Sequence, residues 1–291
     1  MAICGRLALL FGVASFAVGL PTQAQTLRFT TNVGSFDMVL NPGDDANLQP
    51  LVDNLVAYVG LGRYHFSAIN RAADGTTPAA ADDFVLQMGS FLGFPPTPEL
   101  WPGYLPRIEA LEPVTVDEND DGRVDFTALS NERGTVSLAL SAGNPNSGTS
   151  SFFVNLGDNA FLDSQGFVPF ATIRNMETID RIMSLQQTDL GSAAGQPGNL
   201  AFSDVPLTDR ERLVVITDIE VIEADADFSF VGPIATALEL ARRGSASASS
   251  SSTRSTAPVS AGSIPEPGTA TGVLCCLAPA LLRRRWAGLP C

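Results

Sequence analysis

Gly134–Thr–Val–Ser–Leu–Ala139, followed by Asn144–Pro–Asn–Ser–Gly–Thr–Ser–Ser–Phe–Phe–Val–Asn–Leu–Gly–Asp–Asn–Ala–Phe–Leu–Asp163, is the stretch on which the reading of this chain turns. Two short runs of apolar, β-branched and aromatic residues flank a segment of Pro, Gly, Asn and Ser. That pattern predicts two strands around a turn, with an aromatic loop exposed after the second.

Working outward, Leu27 to Leu40 alternates around Phe29, Val33, Phe36, Met38 and Leu40, with Asn32–Val–Gly34 as the turn of a hairpin. Leu51, Leu55, Val56, Tyr58 and Val59 recur at helical spacing behind Pro50, a residue favoured in a first helical turn. Tyr64 to Arg71 returns to strand. Downstream, a strand is expected at Phe167 to Ile173, a helix at Met176 to Leu185, and a last, nearly continuous buried strand at Leu213 to Ile222. The body is therefore strand-rich with two helices. Ala224 to Arg243 is acidic, then aromatic, then helix-like from Ile234; it either packs on the body or begins a linker.

Two upstream pieces extend the pattern. Asp83–Phe–Val–Leu–Gln–Met–Gly89 and Ile69–Asn–Arg71, taken with the central stretch, resemble the signatures of the cyclophilins. The resemblance covers about Leu27 to Glu223 as one domain. It implies a mainly β fold, a closed antiparallel eight-stranded barrel capped by two α-helices, and peptidyl-prolyl cis-trans isomerase activity on proline-containing polypeptides.

A prolyl bond turns slowly because resonance gives the C–N bond double-bond character, with a barrier of about 18–20 kcal/mol. Catalysis needs no nucleophile, metal or cofactor. It needs contacts that are stronger in the twisted amide than in either planar isomer. By resemblance, Arg71 is the catalytic residue, its permanently charged fork donating to the prolyl nitrogen or the neighbouring carbonyl. Phe84, Phe153 and Leu162 would form the pocket for the ring, with Phe161 at its mouth. Gln87 would hold the substrate backbone and Ala139 would lie beneath the extended peptide.

Three substitutions depart from the family pattern. Ser151 stands where relatives usually carry a long amide, Met88 replaces a usual glycine, and Phe167 takes the place of a histidine in some relatives. Ala72 to Asp82 forms an extra loop beside the expected site. A plainer reading of the same residues has Arg71 as a solvated surface arginine and Phe84 and Phe153 as core. Ser151 and the Ala72–Asp82 loop favour an alternative function, a weakly active or inactive peptide-binding module, and a spacer at the cell surface is a third reading.

Asp117, Asn119, Asp121 and Asp125 surround Gly122 at the spacing that opens an EF-hand-like calcium loop. Its twelfth position is Ala128 rather than a bidentate glutamate, so an acidic hydrated insertion competes with a weak calcium site. His65, the only histidine, reads as a strand residue between Tyr64 and Phe66, and leaves no zinc cluster or Ser–His–Asp set to consider.

The net charge of −14 argues against nucleic acid as a partner, and all 17 basic residues are arginine. The four cysteines, Cys4, Cys275, Cys276 and Cys291, sit in the terminal segments, so no disulfide framework is expected within the body. Residues 1–24 carry Arg6, the apolar run Leu7 to Leu20 and small residues before Ala24, the pattern of a secretory signal peptide. Residues 244–262 read as a Ser/Ala-rich linker. Within 263–291, Pro265–Glu–Pro–Gly268, a short apolar run and Arg283–Arg–Arg285 resemble the bacterial PEP-CTERM sorting signal. That resemblance implies an exosortase-type processing partner, membrane contact through this segment only, and a location in the envelope, on the surface or in the matrix of a bacterium. A plain single-span anchor is the alternative.

Overall fold

The computed structural model describes residues 25–74, 83–93, 107–126, 128–141, 144–225 and 228–251. The two terminal address segments and most of the Ala72–Asp82 loop lie outside the described residues.

Strands β1 (Thr26–Thr31) and β2 (Ser35–Leu40) form the expected hairpin. Its turn is tied by Thr31, whose N–H donates to Gly34 O at 2.8 Å while its hydroxyl oxygen accepts from the N–H groups of Val33 and Gly34. Alternation sends Leu27, Phe29, Phe36 and Met38 inward, and the rings of Phe29 and Phe36 stack at 5.2 Å. Helix α1 (Gln49–Gly60) follows, with Pro50 in its first turn and Leu51, Val52, Leu55, Val56 and Tyr58 on its buried side.

The chain continues through β3 (Ser67–Asp74), β4 (Asp83–Leu92), β5 (Thr135–Leu138), β6 (Phe152–Asn155), β7 (Pro169–Ile173) and α2 (Glu177–Met183). A small hairpin of β8 (Gln186–Thr188) and β9 (Val205–Leu207) precedes β10 (Ile216–Glu223) and α3 (Val231–Ser251). Eight strands make one antiparallel sheet in the order β10-β1-β2-β7-β5-β6-β4-β3.

The expected closed barrel is corrected to a curled half-barrel. Its edge strands β3 and β10 share no ladder among the described residues; β3 meets the residues just before β10, through the isolated bridge Ala68↔Val215 and the Ile69 N–H donated to Val214 O at 2.9 Å. Both expected helices are present, and a third accompanies them. Helix α2 buries Ile179 and Ile182 against the sheet, where the Thr178 hydroxyl donates to Ser35 O, and a third helix, α3, packs on α1. Gly60 permits that approach, since a Cβ there would lie 2.8 Å from Ile234 Cδ1 and 2.9 Å from Phe230 Cδ1. The stretch 224–243 thus leads into a helix packed on the body, and α3 continues into the segment read as linker.

Two local expectations also change. Residues 61–66 form turns with Phe66 at φ +59°, so His65 is an exposed turn residue rather than a strand one. In β10, Ile219 and Val221 are only half buried, because the strand lies at the sheet edge and alternates with exposed Asp218 and Glu220.

Candidate active site

Antiparallel register fixes which side chains share a face. Arg71 on β3 stands directly opposite Gln87 on β4, Gln87 opposite Phe153 on β6, and Phe153 opposite Ser137 on β5. Opposed residues in antiparallel strands point to the same side, so these four form one row across the sheet. The neighbouring row, Leu86, Val154 and Val136, points the other way, into the core that holds Phe152 edge-on to Tyr64 and Phe29. The Arg71 row therefore lies on the sheet's outer face, with Arg71 9% and Gln87 5% exposed.

Polar anchoring begins at Ser151. Its hydroxyl oxygen accepts from Gln87 Nε2 at 3.0 Å and from Ser90 Oγ at 2.7 Å, and its carbonyl accepts from the Ala139 N–H at 2.8 Å. Behind it, the fully buried Tyr64 donates its hydroxyl to Ser150 O at 2.8 Å, and burial pushes that phenol well above its ordinary range. Gly89 makes this packing possible: at φ +81°, an added Cβ would lie 2.5 Å from Ser150 O.

The apolar wall comes from the loop after β6. Phe153 meets Phe167 edge-on at 5.6 Å, and Phe84 stacks on Phe161 at 5.7 Å with 18° between the rings. Phe161 is 44% exposed, whereas Leu162 and Phe153 are buried, Phe153 completely. Phe84 is one residue out of phase with Gln87, so strand alternation places Val85 on the Arg71 face and Phe84 in the flanking stack. The structure thus joins Arg71, Gln87, Ser151, Phe153 and Phe167 directly. Ala139 enters through Ser151, and Leu162 through the Phe167 N–H donated to Leu162 O.

A buried amide network holds that wall. Asn131 Nδ2 donates to Phe167 O at 2.9 Å and to Asp163 Oδ1 at 2.8 Å, while its side-chain oxygen accepts from Ser137 Oγ and from Asn155 Nδ2. Asn159 donates to Phe84 O and to Asn155 Oδ1, both at 2.8 Å. Burial pushes the Asp163 carboxyl up, but hydrogen bonds from Ser130 and Asn131 outweigh it and hold the group below the usual carboxylate range. Sequence reading missed Asn131, Ser137, Asn155 and Asn159. Their signal was short polar residues set within or beside apolar strand runs, where each must find a partner.

On the far side of Arg71, its Nε lies 4.0 Å from Asp204 Oδ2, a contact also absent from the sequence reading. In the acidic loop, Asp117 is buried and its carboxylate accepts from the N–H groups of Asp121 and Gly122, while Asn119 Nδ2 donates to Asp125 Oδ1. Among the described residues, no three His, Cys, Asp or Glu side chains are grouped as a metal site.

Comparisons with known proteins give the family. The family described as cyclophilin type peptidyl-prolyl cis-trans isomerase/CLD matches residues 26–200, and the chain belongs to that family. It is similar to peptidyl-prolyl cis-trans isomerase A of Dickeya dadantii, 30% identical over 181 residues, which span 60% of this chain and 80% of the relative. Peptidyl-prolyl cis-trans isomerase B of Escherichia coli is 29% identical over 205 residues, 68% of this chain and 99% of that one. A solved Cryptosporidium parvum cyclophilin-type isomerase, crystallised with the dipeptide Ala-Pro, aligns with a TM-score of 0.43 at 18% identity, over 69% of this chain and all of the other.

Proposed function

We propose that the protein is an exported peptidyl-prolyl cis-trans isomerase that assists the folding of envelope, surface or matrix proteins. The observation that carries the catalytic reading is the row Arg71–Gln87–Phe153 on the outer face of the sheet. It sets a permanent cation beside an amide and an aromatic wall. As the amide twists, the prolyl nitrogen becomes pyramidal and regains a lone pair, to which the Arg71 guanidinium donates. Gln87 orients the substrate backbone, Phe153, Leu162 and Phe167 receive the ring, and the exposed Phe161 meets the incoming chain. A donor aimed at charge that develops only in the transition state is worth roughly a hundredfold in rate. In a proline-peptide isomerisation assay on the purified protein, Arg71→Ala should therefore lower kcat/KM by about a hundredfold. Equal rates would remove the catalytic role of Arg71.

One observation favours a second reading, a peptide-binding module with little turnover. Phe153 is completely covered, partly by Phe167, and the Ser151 hydroxyl is already engaged by Gln87 and Ser90. Measurable peptide affinity without rate enhancement would select it. The export part of the proposal is supported by the apolar run behind Arg6 and by the Pro265–Arg285 segment, which would present the chain to an exosortase-type enzyme. Among the described residues no helix is long and apolar enough to cross a membrane. Fractionation of cells carrying the full chain, with and without residues 1–24, tests export: retention of both forms inside the cytoplasm would refute it.

A further inference from the structure

We propose that Asp204 is a positioning residue for Arg71, supplied by a segment that lies beyond residue 200, where the family match ends. The proposal rests on Arg71 being the group that faces the prolyl amide. Arg71 belongs to an edge strand of the sheet, with Gln87 on its inner flank and, among the described residues, no strand laddered to its outer one. That outer flank is covered by residues 201–205. The Ala72 N–H donates to Asp204 O at 2.7 Å, and Asn70 Nδ2 donates to Ala201 O at 3.0 Å. Phe202 anchors the same segment in a second apolar cluster with Phe91, ring to ring at 4.7 Å, and with Val205 and Leu207.

These main-chain and apolar anchors hold the segment without using the Asp204 carboxylate, which lies between the guanidinium and the Ser203 hydroxyl. Oδ2 lies 4.0 Å from Nε and accepts a hydrogen bond from the Ser203 hydroxyl. At that distance the contact is a charge pairing rather than a hydrogen bond. It acts on the Nε edge of the fork, which biases how the guanidinium plane lies against the row formed with Gln87 and Phe153. The Arg71 side chain is 11% exposed and that of Asp204 36%, so the pairing is buried at the cation and open to solvent at the carboxylate. A long side chain on an edge strand has many rotamers, and a fixed negative charge on one flank reduces the set that faces the groove.

The anchors make this testable, because every substitution of the Asp204 side chain keeps its carbonyl bond to Ala72. Asp204→Ala, Asp204→Asn and Asp204→Glu are compared with wild type and Arg71→Ala in the purified full chain. Readouts are the proline-peptide isomerisation rate, KM and the melting temperature. The expected result is a kcat lowered about tenfold in both Asp204→Ala and Asp204→Asn, with KM within twofold, an unchanged melting temperature, and Asp204→Glu restored to within threefold of wild type. If Asp204→Ala fails to fold, the pair Asp204→Asn and Asp204→Glu decides alone. Wild-type kcat in Asp204→Asn, or a Glu variant as slow as the Asn one, overturns the proposal while a slow Arg71→Ala leaves the catalytic reading standing. Arg71→Ala at the wild-type rate removes that reading, and this one with it.

Discussion

Arg71 and Gln87 are a directly opposed cross-strand pair between β3 and β4, and the Gln87 amide donates to the hydroxyl of Ser151, the residue just before β6. Opposed side chains sit with Cβ atoms about 4.5–5.5 Å apart, close enough for each to restrict the other. The two should act as a unit. In a double-mutant cycle on isomerisation, Arg71→Ala should account for most of the loss and Gln87→Ala should add little on top of it, with a coupling energy of about 1 kcal/mol. Additive losses would show two independent groups.

Ser151 serves two donors with one oxygen, Gln87 Nε2 and Ser90 Oγ. Ser151→Ala leaves both without that acceptor while removing few packing atoms. The expected cost is about 1–2 kcal/mol in denaturant unfolding. Peptide affinity should fall with it, because Gln87 is released on the groove face; a peptide titration beside the unfolding curve checks both.

Phe153 and Phe161 should separate stability from binding. Phe153 is completely buried and edge-on to Phe167, so Phe153→Ala should destabilise the fold by about 3–5 kcal/mol. Phe161 is partly exposed and, among the described residues, its ring stacks on Phe84 alone, so Phe161→Ala should cost about 1 kcal/mol or less in stability. The second variant should nonetheless bind proline peptides several-fold more weakly, which calorimetric titration measures. An equal effect of the two on unfolding would contradict the assignment of one as wall and the other as mouth.

Glu223 ties the end of β10 to the β7–α2 connection. Hydrogen bonds from Arg174 and then Thr26 hold its carboxyl down at about 2, against an ordinary 4.5. A depressed carboxyl contributes stability that is present above pH 4.5 and is lost as the pH falls toward about 2. Wild type should therefore exceed Glu223→Gln in urea resistance at neutral pH, with the two curves converging across that window. The pair is solvent-exposed, so the gap should be small and should shrink in about 1 M salt, where the screening length is near 3 Å. A gap that persists at pH 2 would place its origin elsewhere.

Residues with a strong local period were readable from sequence, and residues defined by distant partners were not. The hairpin of Leu27 to Leu40 and helix α1 announce themselves by alternation, by 3.6-residue spacing and by Pro50. The half-barrel edge was not legible, because whether Ala68 meets Val215 through one bridge or a full ladder is settled by curvature summed over the whole sheet. Helix α3 starts against Gly60 through Phe230 and Ile234 and runs on into a Ser/Ala-rich stretch whose composition suits a linker, although alanine is also the best helix former. In the site, resemblance named Arg71, Gln87 and Phe153, and the register unites them. Val85 was hidden by a one-residue question of phase. Asp204 was hidden by the long stretch of chain that separates it from Arg71.

The segment 201–205 does more than flank a side chain. It satisfies the Ala72 N–H and the Asn70 amide along the outermost strand. Replacing it with a glycine-serine bridge would bare the Ala72 N–H and the Asn70 side-chain amide on an edge strand, the sort of margin onto which a second molecule zips itself. Such a protein would fail first by clumping in the tube, before any slowing of its chemistry could be timed.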